Sequence, residues 1–288
     1  ISLYLVIYLA LILSLNFTLE NSKKQFSTKL DQDKKIIYNQ TQLAKLDNGY
    51  DKMFDNNKCK FWSRKLNSDF KKRFNNCFVE LNKKAIFLLG DSHQMDFYNG
   101  FAKISDEDAF VVSISRGRCR LHNPRPLGYG GCDFDNLKKF INDNQNKIDN
   151  VIYHQSGSFF LQGNKSLPIK RKDIKKVIKF LENLNVEQII WLGPRIEPNI
   201  PIDYTYTQNY QMHKNFINYS IKHVDKEIAK RISVSSIDYI SLIKIVDFNL
   251  ETDFFVEENF TFSDYAHWST FGELYFTKMI LENSNLLK

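Results

Sequence analysis

The chain has 288 residues, 43% hydrophobic and 25% charged, which is a globular composition and excludes a disordered or collagen-like chain. Its 40 Lys and Arg against 33 Asp and Glu leave a net charge of +7. That excess is too diffuse for a committed nucleic-acid binder, but it suits acidic glycans or phosphates.

Residues 1–17 (ISLYLVIYLALILSLNF) carry no charge. A membrane-spanning helix needs about 20 apolar residues and a secretory core only about 7–15. With no basic stretch before it and no small-residue cleavage site, this run reads as the C-terminal part of a transmembrane helix. A buried core helix or strand is the alternative. Lys23, Lys24 and Lys29 follow the run, a flank that ordinarily stays cytoplasmic, but Lys is abundant along the whole chain. Residues 18–80 are polar and rich in Asn, Asp and Lys, as in a linker with a small helical extension.

Residues 81–288 read as one α/β domain. The apolar run 85–90 (AIFLLG) predicts a buried strand and 92–104 the helix after it. A strand follows over 109–115, a helical pattern over 135–148, a strand over 150–155 and an amphipathic helix over 174–185. Next come a strand over 188–193, a long helical stretch over about 208–230, a strand over 232–238 and a closing helix over about 269–281. Strands alternating with helices of this length imply βαβ units with right-handed crossovers, hence a three-layer α/β/α fold with a mostly parallel sheet. Sites in such sheets lie beyond the carboxyl ends of the strands, so the loops after residues 90, 115, 155 and 193 should share one rim.

The four cysteines, Cys59, Cys77, Cys119 and Cys132, form no C-x-x-C pair. Cys119, His122 and Cys132 supply three candidate zinc ligands but no fourth. Two sequence-local pairs fit disulfides 59–77 and 119–132 in an oxidising compartment; buried thiols in a cytosolic protein are the alternative.

Chemistry concentrates at two places. Gly90-Asp91-Ser92-His93 falls where a strand ends and a helix begins, which sets Ser92 at a helix N-terminus among free backbone N–H groups. A serine needs a base, and the base needs an orienting group. Asp264-Tyr265-Ala266-His267, just before the last helix, offers both: Asp264 can hold His267 Nδ1–H while Nε2 faces Ser92. Each motif alone is weak, since Gly-Asp-Ser also makes N-caps and D-x-x-H also makes surface pairs.

Together, G-D-S-H at 90–93 and D-Y-A-H at 264–267 resemble the first and last sequence blocks of the SGNH/GDSL hydrolase superfamily. More specifically they resemble the C-terminal SGNH domain fused to acyltransferase family 3 membrane proteins. The apolar run 1–17, the linker 18–80, the segment 113–132 with its two cysteines and the ending 262–272 fit that likeness. The resemblance implies Ser92 as nucleophile, His267 as general base and acid, and Asp264 as its orienter. It implies an oxyanion hole from the Ser92 N–H with Gly117, and places Gln155 where the superfamily carries the Asn of a G-x-N-D block, which this chain lacks. It further implies a serine-dependent O-acyltransferase, O-acetyl by family habit, acting on a bacterial surface polysaccharide or lipopolysaccharide through an acyl-serine. A carbohydrate esterase and an inactive glycan-binding module are the alternatives. No cofactor is expected in this domain, the acyl donor deriving from acetyl-CoA through a membrane acyltransferase domain in cis. A glycan acceptor and no nucleic acid complete the expected partners, at the bacterial inner membrane with the domain periplasmic or extracellular.

Other residues receive plain readings. His93 lines or caps the pocket, and His122, His213 and His223 are surface residues. Trp191 fits the core, Trp268 beside His267 could wall the site, and the basic run 169–176 fits a solvated helix face.

Overall fold

The computed structural model describes residues 2–28, 32–46, 52–117, 120–123, 133–163, 166–200 and 215–286. In chain order the elements begin with α1 (Ser2–Thr28), α2 (Gln32–Leu46), β1 (Lys60–Ser63) and α3 (Ser68–Leu81). They continue with β2 (Ala85–Gly90), α4 (Ser92–Ile104), β3 (Val111–Ser115), α5 (Phe134–Asp143) and β4 (Ile148–His154). A small hairpin, β5 (Leu161–Gln162) with β6 (Ser166–Ile169), precedes α6 (Arg171–Glu182), β7 (Gln188–Leu192), α7 (Ser220–Ile232) and β8 (Asp238–Ile240). The chain closes with α8 (Leu242–Val246), α9 (Leu250–Asp253), the hairpin β9 (Phe255–Val256) and β10 (Asn259–Phe260), and α10 (Thr270–Asn283).

Six strands form one sheet in the order β1-β3-β2-β4-β7-β8, and every pairing is parallel. A sheet covered on both faces needs strands apolar on both sides, which is why AIFLLG shows no alternation. Phe87, Leu89, Val112, Val151, Tyr153 and Trp191 point to the face covered by α3, α5, α6 and α7. Leu88, Val111, Ile152, Ile190 and Leu192 point to the other, under α4, α8 and α10. The expected three-layer α/β/α architecture is therefore the observed one.

Three features depart from the sequence reading. First, the helix that holds the apolar run read as ending at residue 17 continues to Thr28. Residues Ser2–Thr28 make one helix, but among the described residues no helix is long and apolar enough to cross a membrane. Second, the stretch read as linker holds β1, an edge strand in register with β3 (Phe61 opposite Val112), and α3, whose Phe70 and Phe74 pack on Phe87 and Phe140. Four residues with only two apolar side chains leave no periodic signal. Third, β8 occupies Asp238–Ile240 rather than 232–238, because Ile232 ends α7 and the Ser233 and Ser235 hydroxyls bond back to the Lys230 and Ile232 carbonyls. The beginning of the stretch expected to be helical from about 208 lies outside the described residues.

Helix α4 is buried from His93 to Ala102, between the sheet and α10. Gly100 lets the helices meet: a Cβ there would stand 2.2 Å from the Glu273 carbonyl oxygen. At this contact the buried Glu273 carboxyl accepts from Asn99 Nδ2 at 2.8 Å and Lys103 Nζ at 3.1 Å. Burial, reinforced by the Asp96 charge and only partly offset by Lys103, pushes Glu273 up to about 8.

Cys59 and Cys77 are joined, as expected, which ties the start of β1 to α3. Cys119 and Cys132 lie outside the described residues.

Two outcomes follow from these contacts. A Cys59→Ala/Cys77→Ala variant should lose about 2–4 kcal/mol, the usual value for closing a loop of this size, read as a thermal midpoint lower by roughly 4–10 °C. Glu273 holds in the folded state a proton that the unfolded chain releases above its ordinary value of 4.5. Its contribution is therefore full below pH 4.5 and is lost as pH rises towards about 8. The thermal midpoint of Glu273→Gln should accordingly fall less than that of the unaltered chain between pH 5 and pH 8, measured by calorimetry.

Candidate active site

Ser92 is the first residue of α4 and is half-buried, with its backbone N–H among the unpaired donors at the helix start. Strand β2 reaches this point only because residue 90 is glycine, since a Cβ would fall 1.8 Å from the His154 carbonyl oxygen of β4. Asp91 caps the helix: its buried carboxylate accepts from His93 N–H at 3.0 Å and from Ser156 N–H at 3.2 Å. Arg120 Nε stands 3.6 Å from Asp91 Oδ2. Burial raises the Asp91 carboxyl, and Arg120 with the two backbone donors opposes that rise.

The second motif folds as its spacing anticipates. Asp264 Oδ1 accepts from the Ala266 and His267 N–H groups, each at 2.7 Å, a turn that fixes the carboxylate. Asp264 Oδ2 then meets His267 Nδ1 at 2.7 Å, which assigns the proton to Nδ1 because a carboxylate can only accept. Burial disfavours the imidazolium of His267, but the Asp264 hydrogen bond and the Asp96 and Asp264 charges outweigh it and His267 titrates above the ordinary histidine value. Burial pushes Asp264 up, yet the bond and charge of His267 with the two backbone donors hold it below its ordinary value.

A buried network on α4 brings the two motifs together. Asp96, one turn after Ser92, accepts from Trp268 N–H at 3.0 Å and binds Arg195 Nη2. The same Nη2 donates to the Ala266 carbonyl at 2.8 Å, and the guanidinium lies 4.0 Å over the Trp268 ring. Residues on both sides of His267 are thus fastened to the helix that Ser92 begins. The link to the nucleophile segment runs through His93, whose ring centroid lies 5.8 Å from that of His267.

His93 stands between two further buried groups, with its ring centroid 6.0 Å from His154 and its Nε2 4.0 Å from Glu197 Oε1. Burial and the Arg195 charge keep both imidazoles neutral at physiological pH, His93 well below its ordinary value and His154 at about 3. His154 Nδ1 donates to the Leu192 carbonyl at 2.9 Å. Glu197, raised by burial, accepts from Ser156 Oγ at 2.5 Å and lies 3.4 Å from Ser158 N–H.

The expected oxyanion partners are less uniform. Gly117 sits in the turn after β3, on the expected rim. The Gln155 side chain is 1% exposed, with Oε1 accepting from the Tyr153 hydroxyl and Nε2 3.4 Å from the Ser156 carbonyl. His122, expected at the surface, is 5% exposed and packs 4.9 Å from Phe160 between ring centroids. Trp191 is core, against Tyr153 and Phe160. Trp268 is 1% exposed beneath Arg195, so no face is open to a sugar. His213 lies outside the described residues, and among the described residues no cluster of three or more His, Cys, Asp or Glu is arranged to hold a metal.

Sequence reasoning passed over Asp96, Arg195 and Glu197. The rim rule pointed at the loop after residue 193, and Arg195 and Glu197 are its first charged residues. Asp96 had a signal too: a carboxylate between Met95 and Phe97 on the helix that follows the first buried strand.

The family model described as "SGNH domain (fused to AT3 domains)" matches residues 58–282. Among solved structures, the periplasmic domain of a lipopolysaccharide acetyltransferase from Salmonella ser. Paratyphi A superposes with a TM-score of 0.58 at 18% identity, over 89% of this chain and 98% of its own. Est24, a carbohydrate acetylesterase from Sinorhizobium meliloti, matches with a TM-score of 0.48 at 8% identity, over 69% of this chain and 97% of its own. No curated protein matches the chain.

Removing the carboxylate beside His267 should lower its titration point. In Asp264→Asn the His267 imidazole is expected to lose its proton at lower pH than in the unaltered chain. Proton NMR of the ring Cε1–H during a pH titration would register this; an unchanged midpoint would mean that Asp264 does not hold the ring.

Proposed function

The chain belongs to the family of SGNH domains fused to AT3 domains, and on that premise we propose that it is a serine-dependent O-acyltransferase. In this reading it moves an acyl group, acetyl by the chemistry of its relatives, to a hydroxyl of a bacterial surface polysaccharide or lipopolysaccharide. The observation that carries the proposal is the Asp264–His267 pair, 2.7 Å apart and anchored through Asp96 to the helix that begins at Ser92.

Ser92 Oγ adds to the acyl carbonyl as His267 Nε2 takes its proton, and Asp264 stabilises the resulting imidazolium. The tetrahedral oxyanion is received by the Ser92 N–H, at the positive end of α4, and by the Gly117 N–H. Collapse expels the donor, protonated by His267, and leaves an ester on Ser92. His267 then takes the proton of a sugar hydroxyl as that oxygen attacks the ester, and returns it to Ser92 Oγ as the acyl–serine bond breaks. The net change exchanges one ester for another and needs no cofactor in this domain.

Transfer is favoured over hydrolysis by the family's fusion to AT3 domains, which would supply the acyl group from acetyl-CoA through the membrane in cis. The lipopolysaccharide acetyltransferase named for the Salmonella structure supports the same acceptor class. A location outside the bacterial inner membrane agrees with the Cys59–Cys77 bond, since disulfides persist in oxidising compartments.

A fluorophosphonate should label the unaltered chain at Ser92 and leave a folded Ser92→Ala variant unlabelled, with turnover of 4-nitrophenyl acetate reduced at least about 10³-fold. A native chain that resists the reagent would instead be an inactive module. Adding de-O-acetylated lipopolysaccharide to the acyl-enzyme should yield acetylated sugar; release of acetate alone would make the protein an esterase.

A further inference from the structure

We infer that a basic pocket at the catalytic rim holds a carboxylate or phosphate carried by the acceptor saccharide. The identity of the ligand as a saccharide rests on the acyl-transfer reading; the anion site itself rests on what lines the pocket.

The cavity has a volume of about 310 Å³ and is lined in part by Arg120, His122, Phe159, Lys170, Asp173 and Lys176. That size is at the lower end for a ligand pocket and suits one substituted sugar ring. Arg120, Lys170 and Lys176 face the Asp173 carboxylate, and Asp91 stands against Arg120, so the recess holds more cations than carboxylates. Each cation is held in place. Lys170 Nζ donates to the Phe159 carbonyl at 3.1 Å, and Lys176 Nζ to the His122 carbonyl at 3.3 Å and to Asp173 Oδ1 at 3.0 Å. The Arg120 guanidinium lies over the Phe159 ring. Cations already ordered by the protein lose little freedom when an anion arrives.

His122 contributes no charge, since burial above all, with Arg120 and Lys170 nearby and Asp173 opposing, lowers it to about 4. The charge preference therefore comes from Arg120, Lys170 and Lys176. An uncharged sugar would gain nothing from it, whereas a uronic acid or a sugar phosphate would meet several charge-assisted donors.

Position ties the pocket to the chemistry. Arg120 borders the pocket and stands 3.6 Å from Asp91, the neighbour of Ser92. Arg120 follows β3 and Phe159 follows β4, two of the rim loops, while the remaining basic wall is the start of α6. Within the run 169–176, the half-buried Lys170 and the exposed Lys176 border the pocket, whereas the exposed Arg171, Lys172 and Lys175 do not line it.

The test is calorimetric titration of the whole chain, in low salt, with three probes: a hyaluronan tetrasaccharide for the carboxylate, mannose 6-phosphate for the phosphate, and maltotetraose as the uncharged control. At least one anionic probe should bind about tenfold or more tightly than maltotetraose, and which one does so identifies the anion. A Lys170→Gln/Lys176→Gln variant with an unchanged thermal midpoint should lose that preference, and Ser92→Ala should keep it. Equal binding of all three probes, absence of binding, or a preference that survives the double substitution would overturn the inference. Because Ser92→Ala is catalytically silent, failure of the acyl-transfer reading leaves this result unaffected, and the reverse also holds.

Discussion

A single buried carboxylate organises this molecule. Asp96 is inaccessible to solvent in the middle of α4 and must be compensated where it stands, because a lone charge in such a place is prohibitively unstable. Its partners come from far along the chain: Trp268 N–H is 172 positions away and Arg195 is 99. Arg195 in turn needs acceptors, and the Ala266 carbonyl is one. Losing one member of such a cluster typically costs about 3–5 kcal/mol, which gives the loop around His267 a strong preference for one position. The energy that orders the loop is therefore the energy of satisfying Asp96.

The same contact explains the glycines at neighbouring joints. A Cβ at Gly100 would strike the Glu273 carbonyl, and one at Gly272 would stand 1.9 Å from the Thr261 carbonyl oxygen. Both positions lie where α10 and the segments before it close on the sheet and α4, so small residues set the spacing that lets Asp96 reach Trp268. Acids buried nearby divide by partner. Asp264, hydrogen-bonded to a histidine and to two backbone donors, is held below its ordinary value despite burial; Glu273, raised by burial and then by the Asp96 charge, keeps its proton towards neutrality. Environment, more than residue type, assigns these roles.

Much of the fold was legible because it is written in local pattern. Apolar runs of five to seven residues between amphipathic stretches place β2, β3, β4 and β7, and 92–104 was read as the helix it is. The Asp264–His267 pair was legible for a similar reason: three residues of spacing on a tight turn are enough to join them. Less was legible wherever the cause is tertiary. Strand β1 has four residues and is fixed by pairing with β3, and β8 was displaced because serine hydroxyls ended α7 first. Gln155 was read from its place in the chain, which says nothing about the Tyr153 hydroxyl that occupies its carbonyl. The roles of Asp96 and Arg195 depend on contacts across the whole domain.

This division between local and distant determinants has a chemical consequence. His267 and Asp264 are one turn of chain, so their geometry survives small movements of the domain. Ser92 belongs to a different layer, the first turn of a helix clamped between sheet and α10. What must be conserved through any motion is the distance between these two pieces, and the Asp96 network spans it directly. Arg195 is suited to that task because a planar guanidinium can bind a carboxylate, donate to a carbonyl and cover an indole at once, which a lysine ammonium could not reproduce. Arg195, in the loop after β7, therefore acts as a strut between α4 and the segment around His267.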